Sequence, residues 1–99
     1  MGAEKLLLDT MEDNFEIGKQ AYIKKDYSLA LSHFQKVNPK DAKTLLAISN
    51  CQLGLGDIIH CVDNLIASIS LEKSPEASFL KNKLDKMYGI DTEKWHTYV

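Results

Sequence analysis

Apolar residues recur at intervals of three and four along most of the chain, which is the spacing of one face of an α-helix. The first series predicts a helix from about Glu4 to Lys24. Its small or apolar positions are Leu8, Met11, Phe15, Gly18 and Tyr22. Thr10 and Asp13 loosely form a capping box, so a later start is a second interpretation, which leaves residues 1–9 as a separate segment.

Four further helices are predicted, and most of them follow a capping residue. The predicted spans are Tyr27 to Val37, Asp41 to Leu53, Ile58 to Ser70 and Pro75 to Met87. Asp26, Asp57 and Ser74 stand where a side-chain oxygen caps the first turn. Pro75 then occupies the first helical position, which proline tolerates because the N–H that it lacks would have no partner there.

Helix-breaking residues separate these spans. Asn38-Pro39 ends the second helix, since proline lacks a donor and disfavours helix in the residue before it. Gly54 and Gly56 end the third, because glycine readily adopts the left-handed conformation that closes a helix. No segment shows the alternation of a strand, so the sequence predicts an all-α fold of about five helices in antiparallel hairpins.

A weak internal repeat joins the first four helices. The pattern Asp26-Tyr27-x-x-Ala30-x-x-x-Phe34 returns as Asp57-Ile58-x-x-Cys61-x-x-x-Leu65, an offset of 57 − 26 = 31 residues. A period of this length is typical of stacked helical hairpins. The fifth helix carries a narrow apolar stripe at Leu80, Leu84 and Met87, which predicts a cap over one open side of the stack.

Composition narrows the function classes. The chain has 99 residues, enough for one domain, with 12 basic and 14 acidic residues and a net charge of −2. The lysines form no single stripe, which argues against nucleic-acid binding. No apolar run approaches the ~20 residues of a membrane span, and no signal peptide is evident, so we expect a cytoplasmic protein without membrane insertion.

The residues with reactive or metal-binding side chains do not form a recognisable motif. Cys51 and Cys61 are expected to be buried thiols that pack as small apolar groups. His33, His60 and His96 do not pair at helical spacing, so no zinc ligand set is predicted. No phosphate-binding loop or nucleophilic motif occurs either, and we expect neither catalysis nor a cofactor.

The repeat resembles the tetratricopeptide repeat family. The matching residues of the first unit are Ile17-Gly18, Asp26-Tyr27, Ala30 and Phe34, and those of the second are Leu45, Ile48, Ser49, Gly56-Asp57-Ile58 and Cys61. The chain departs from the family pattern at Asn14, Ala21 and Gln52, and Pro39 comes three residues early. The resemblance implies repeat one over about residues 13–40, repeat two over 41–73 and a cap helix over 74–88, together a domain over 1–88 followed by a tail over 89–99.

The resemblance also implies a groove, lined by the first helix of each hairpin, that receives a peptide or a helix. The partner-binding residues that it implies are Phe15, Lys19, Tyr22, Leu46, Asn50, Leu53 and Lys81. The wider lining adds Glu12, Glu16, Ile23, Lys43, Ala47 and Ala77. A competing interpretation is that the amino-terminal segment or a dimer partner covers Phe15, Leu46 and Leu53.

One known ligand class of the family fits poorly. Chaperone co-factors of this family clamp a terminal carboxylate with paired lysine and asparagine side chains, but this chain has Phe15, Lys19 and Ala47 at those positions. Lys81 alone remains as a basic contact. We therefore expect a non-enzymatic adaptor that binds a protein or peptide. Self-assembly, as a homo-oligomer or as a subunit of a larger scaffold, is the alternative, and a chaperone co-factor is less favoured.

Overall fold

The computed structural model of the protein describes residues 14–89, and the regular structure in that range is α-helical. The five helices are α1 (Asn14–Ile23), α2 (Tyr27–Gln35), α3 (Ala42–Gly54), α4 (Ile58–Leu71) and α5 (Pro75–Tyr88). The predicted all-α fold of about five helices is thus confirmed. The predicted stretch of the first helix before Asn14 and the tail beyond Gly89 lie outside the described residues.

Side-chain caps begin four of the helices. Asp26, Asp57 and Ser74 each accept a hydrogen bond from the backbone N–H three residues later, at 3.3, 3.4 and 3.1 Å, as the sequence predicted. Asp41 does the same for Thr44 at 2.8 Å, so α3 begins at Ala42, one residue later than predicted. Each cap satisfies one of the N–H groups that a helix start leaves without an internal partner.

Replacing Asp41 with alanine is expected to lower the free energy of unfolding by about 1 kcal/mol at neutral pH. The Asp41 carboxylate accepts hydrogen bonds from the Thr44 hydroxyl at 2.7 Å and from the Thr44 N–H at 2.8 Å. These two bonds, the hydroxyl first, hold the pKa of Asp41 below its usual value. The stabilisation is therefore present above the unfolded-state pKa of about 3.9 and is lost as the pH falls through the lower folded-state pKa.

Urea denaturation of the wild type and Asp41→Ala over a pH series measures this effect. The difference between the two proteins should shrink as the pH falls below about 4. Asp63→Ala is the matched control, because Asp63 is an exposed residue within α4. An Asp41→Ala protein as stable as the control, or a difference that does not change with pH, would contradict the role of Asp41 as a cap.

The two turns that open α2 and α4 have nearly the same backbone geometry. Asp26 has φ −89° and ψ 78°, and Asp57 has φ −88° and ψ 78°. The residue before each aspartate is left-handed, Lys25 at φ 64° and Gly56 at φ 81°. Both aspartate N–H groups donate to a carbonyl oxygen five residues back, at 2.9 and 2.8 Å. The 31-residue offset in the sequence is thus also a repeat of turn geometry.

The end of α2 differs from the prediction. The helix ends at Gln35 rather than Val37, and the Val37 N–H donates to the Phe34 carbonyl oxygen only three residues back, at 3.1 Å. The Lys40 ammonium then donates to the carbonyl oxygens of Gln35 and Val37, at 2.9 and 3.2 Å. This lysine supplies partners for carbonyl groups that the helix end leaves open, so the helix closes before the proline.

Two glycines allow aromatic rings to pack directly on a helix backbone. A Cβ atom on Gly18 would lie 2.7 Å from Cε1 of Phe34, and one on Gly54 would lie 2.6 Å from Cδ2 of Tyr27. The first contact closes the α1–α2 hairpin, and the second joins that hairpin to α3. Of the two glycines that the sequence predicts to supply a left-handed conformation after α3, Gly56 has the positive φ, whereas Gly54 is helical.

The core consists of two clusters with α3 between them. The first cluster joins α1, α2 and α3 and contains the buried residues Ala21, Ala30, Phe34, Ile48 and Cys51. The second joins α4 and α5 and contains Cys61, Leu65, Ile66, Ala77, Leu80 and Leu84. Leu46 and Leu53 of α3 pack against this second cluster. Met87, which the sequence placed on the apolar stripe of α5, is 53% exposed, because the helix continues past the cluster.

Small and polar side chains connect α3 to α4. The buried Ser49 hydroxyl donates to the Cys61 carbonyl oxygen at 2.7 Å, and the Asn64 amide donates to Gln52 at 2.9 Å. Gln52 thus has a polar partner at the position where the repeat pattern has tyrosine. Cys51 and Cys61 are buried free thiols, as predicted, and burial raises the pKa of both, that of Cys51 to about 11.

Candidate partner-binding groove

Three grooves lie beside α3, and two of them share a residue. The α1/α3 groove encloses about 210 Å³ and is lined by Lys19, Tyr22, Ile23, Phe34, Ala47 and Asn50. The α3/α5 groove encloses about 390 Å³ and is lined by Asn50, Pro75, Glu76, Phe79, Leu80 and Lys83. Asn50 lines both grooves, so the two are adjacent across α3.

Aromatic packing builds the α1/α3 groove. The Phe34 ring is 2% exposed and lies against the Phe15 ring, with centroids 5.2 Å apart and planes tilted by 55°. The Tyr22 ring meets the Tyr27 ring edge-on at 5.4 Å. These contacts fix the groove wall in the free protein. Ile23 is 68% exposed at the rim, so an incoming apolar group would cover it.

The polar groups of this groove are few. Partial burial raises the pKa of Tyr22, and Tyr27 and Cys51 add to the shift, so the hydroxyl of Tyr22 is protonated and able to donate at neutral pH. The Asn50 side-chain NH₂ donates to the Leu46 carbonyl oxygen at 3.1 Å, which orients the amide. Lys19 forms an exposed ion pair with Glu16 at 3.6 Å. Such a pair is weak in water, and Lys19 can exchange it for another carboxylate.

The α1/α3 groove brings together three of the seven partner-binding residues expected from the sequence, namely Lys19, Tyr22 and Asn50. The other four have different surroundings. Phe15 packs on Phe34 beneath the Lys43 ammonium, which lies 4.5 Å from the ring centroid. Leu46 and Leu53 are partly buried against the second core cluster. Leu46 also lines the third groove, which encloses about 290 Å³, together with Ala42, Lys43, Glu72, Ser74 and Glu76. Lys81 lies half-buried on α5 and lines none of the three grooves.

Six residues of the α1/α3 and α3/α5 grooves were not among the lining residues expected from the sequence, namely Phe34, Pro75, Glu76, Phe79, Leu80 and Lys83. Phe34 was assigned to the packing between hairpins, and it also forms part of the groove lining. Phe79 lies next to the apolar stripe of α5, and it is 72% exposed along the α3/α5 groove. A phenylalanine one position before the buried Leu80 was the only available signal for this second site.

Metal and membrane chemistry can be assessed for residues 14–89 alone. Within that range, no three His, Cys, Asp or Glu side chains lie close enough together to hold a metal ion. No helix in the same range is both long and apolar enough to cross a membrane. No protein-family model, curated protein sequence or solved structure matches this chain.

Proposed function

We propose that this chain is a non-enzymatic, tetratricopeptide-like interaction domain that binds a peptide or one face of a helix from a partner protein in the α1/α3 groove. The observation that carries the proposal is the open apolar surface of Tyr22, Ile23 and Ala47 beside the oriented amide of Asn50. An apolar groove with a few polar groups is the usual receptor for an amphipathic segment.

The size of the groove supports this kind of ligand. Small-molecule sites usually enclose about 300–1,000 Å³, whereas the α1/α3 groove encloses about 210 Å³. That volume suits one or two anchoring side chains of a larger partner. The exposed Ile23 and Lys19 extend the surface beyond the groove, so the backbone and flanking residues of a peptide would have further contacts.

The hairpin turns are the reason for proposing a tetratricopeptide-like arrangement. Asp26 and Asp57 share a cap, a backbone geometry and a left-handed preceding residue at the same 31-residue offset. Ala30 and Cys61, which follow at matching positions, are both fully buried. Gly18 permits the close approach of α1 and α2 that the resemblance implies. A stack of such hairpins places its first helices side by side, which is how a groove forms.

Replacing Ile23 with glutamine is expected to weaken partner binding about tenfold, since a polar amide would face the apolar anchor of the ligand. Peptides selected from a random display library on the wild-type chain supply the ligand, and fluorescence anisotropy measures the affinity. Ile59→Gln is the matched control, because Ile59 is 75% exposed on α4 and lines neither groove.

Both variants should retain the circular dichroism of the wild type, because both side chains are exposed. The control should bind the selected peptides as the wild type does. If the selected peptides bound Ile23→Gln with unchanged affinity, their binding site would lie outside the α1/α3 groove. Failure of the library to yield any peptide above background would count against the proposed function itself.

A further inference from the structure

Phe79 is an aromatic side chain that the proposed function does not use. It lies on α5 beside the α3/α5 groove and is 72% exposed, although aromatic side chains usually bury most of their surface. Met87, eight residues later on the same helix, is 53% exposed, and Lys83 between them is exposed as well. Side chains spaced by four residues lie on one side of a helix. An exposed face therefore runs from Phe79 towards the end of α5.

The backbone changes direction where this face ends. Gly89 follows α5 with φ 62° and ψ 33°, a left-handed conformation. Its N–H donates to the Asp85 carbonyl oxygen at 2.9 Å, which is the αL motif that ends many helices. Gly89 thus turns the backbone away from the axis of α5. The residues after it, 90–99, lie outside the described part of the structure.

The segment after Gly89 contains the single tryptophan of the chain, Trp95, six residues later. Six residues of extended chain span up to about 20 Å. Phe79 lies ten residues before Gly89, which is about 15 Å along α5 at a rise of about 1.5 Å per residue. Trp95 is therefore within reach of Phe79. The covalent link to α5 also gives the segment an effective concentration on the order of millimolar at this groove.

The charges of the segment and of α5 are complementary. Residues 90–95 contain Asp91, Glu93 and one lysine, so their net charge is negative. Residues 80–88 of α5 contain three lysines and one aspartate, so their net charge is positive, and Lys83 among them lines the α3/α5 groove. This attraction favours a segment that lies along α5 over one that extends into solvent, and salt screens it.

We propose that the segment from Ile90 to Trp95 folds back along α5 and that the Trp95 indole packs on Phe79 in the α3/α5 groove. The occupant is this segment rather than another protein because it is joined to α5, reaches the groove and has the opposite charge. Terminal segments open with free energies near zero, so docked and undocked forms coexist. The docked segment covers the α3/α5 groove and leaves the α1/α3 groove to the partner of the proposed function.

The fluorescence of Trp95 in the full chain tests this packing, because the chain has no other tryptophan. The wild-type emission should be blue-shifted from that of the urea-unfolded chain, and acrylamide should quench it less. Phe79→Ala should lower the ratio of docked to undocked segments about fivefold, as expected for the loss of an aromatic pair. Ile59→Ala is the matched control, because Ile59 is 75% exposed on α4 and lines none of the three grooves.

The emission should not depend on protein concentration, since the contact lies within one chain. An emission that shifts on dilution would assign the indole to a second copy and overturn the proposal. A wild-type emission equal to that of the unfolded chain, or a Phe79→Ala emission equal to that of the wild type, would overturn it as well. The helices do not unfold when the segment undocks, so Phe79→Ala should change the folding equilibrium constant by no more than about twofold.

These outcomes are separate from those of the peptide-binding experiment. No residue of α5 lines the α1/α3 groove, and the fluorescence experiment contains no partner. A Trp95 that does not dock on Phe79 would therefore leave the proposed function standing. Conversely, a chain that binds no selected peptide could still show the blue-shifted emission and its loss in Phe79→Ala.

Discussion

Replacing Phe34 with alanine is expected to lower the free energy of unfolding by about 3–5 kcal/mol, the usual cost of removing a buried phenylalanine. The ring is 2% exposed and belongs to the cluster that joins α1, α2 and α3. It packs on the backbone at Gly18 and on the Phe15 ring. Its removal leaves a cavity that these neighbours can fill only in part, so transfer and cavity costs add.

Phe79→Ala is the control for this prediction, since it makes the same chemical change at a side chain that is 72% exposed. We expect its stability to lie within about 0.5 kcal/mol of the wild type. Urea denaturation followed by circular dichroism measures both variants. Equal losses at the two positions would mean that the ring of Phe34 does not hold the hairpins together.

The sequence predicts the helix starts well because each one depends on a few neighbouring residues. Asp26, Asp57 and Ser74 bond to a backbone group three residues away, so the cap and its target lie in the same short window. The end of α2 depends instead on the Lys40 ammonium, which lies beyond the proline and returns to the carbonyl oxygen of Gln35. The spacing of apolar residues gives no information about a hydrogen bond from such a side chain.

The role of a glycine is harder to predict when its partner is distant in the chain. Gly18 matches the family pattern, so a close approach at that position follows from the resemblance. Gly54 carries no such signal, and its contact is the Tyr27 ring, which belongs to the other hairpin. Its position before Gly56 favours a turn, but packing on that ring requires it to be helical and without a Cβ atom.

For the candidate site, too, the residues whose surroundings depend on distant parts of the chain are the harder ones to predict. Lys19, Tyr22 and Asn50 share a groove, because residues of both α1 and α3 line it. Leu46 and Leu53 have a helical spacing that fits either a groove or a core. The position of α4 and α5 decides between these, and it turns both leucines toward the second cluster. The sequence of α3 alone does not determine whether these two leucines pack against the second cluster.

Replacing Leu84 with alanine is expected to lower the free energy of unfolding of the whole described domain by about 2–5 kcal/mol. Leu84 is fully buried, and with Ala77 and Leu80 it joins α5 to the Cys61 and Leu65 side of α4. This cluster also receives Leu46 and Leu53 from α3, so α5 closes a core that three helices share. Stability of that kind is cooperative, and the loss should appear in one unfolding transition.

Met87→Ala is the matched control, because Met87 lies on the same helix, has a similar size and is 53% exposed. It should change the free energy of unfolding by no more than about 0.5 kcal/mol. Circular dichroism measures the unfolding transition of Leu84→Ala, and amide hydrogen exchange measures the protection of α3, α4 and α5. If α5 were an independent appendage, α3 and α4 would keep wild-type protection while α5 alone exchanged faster. Reduced protection in all three helices is the expected result, since the side chain of Leu84 completes their common core.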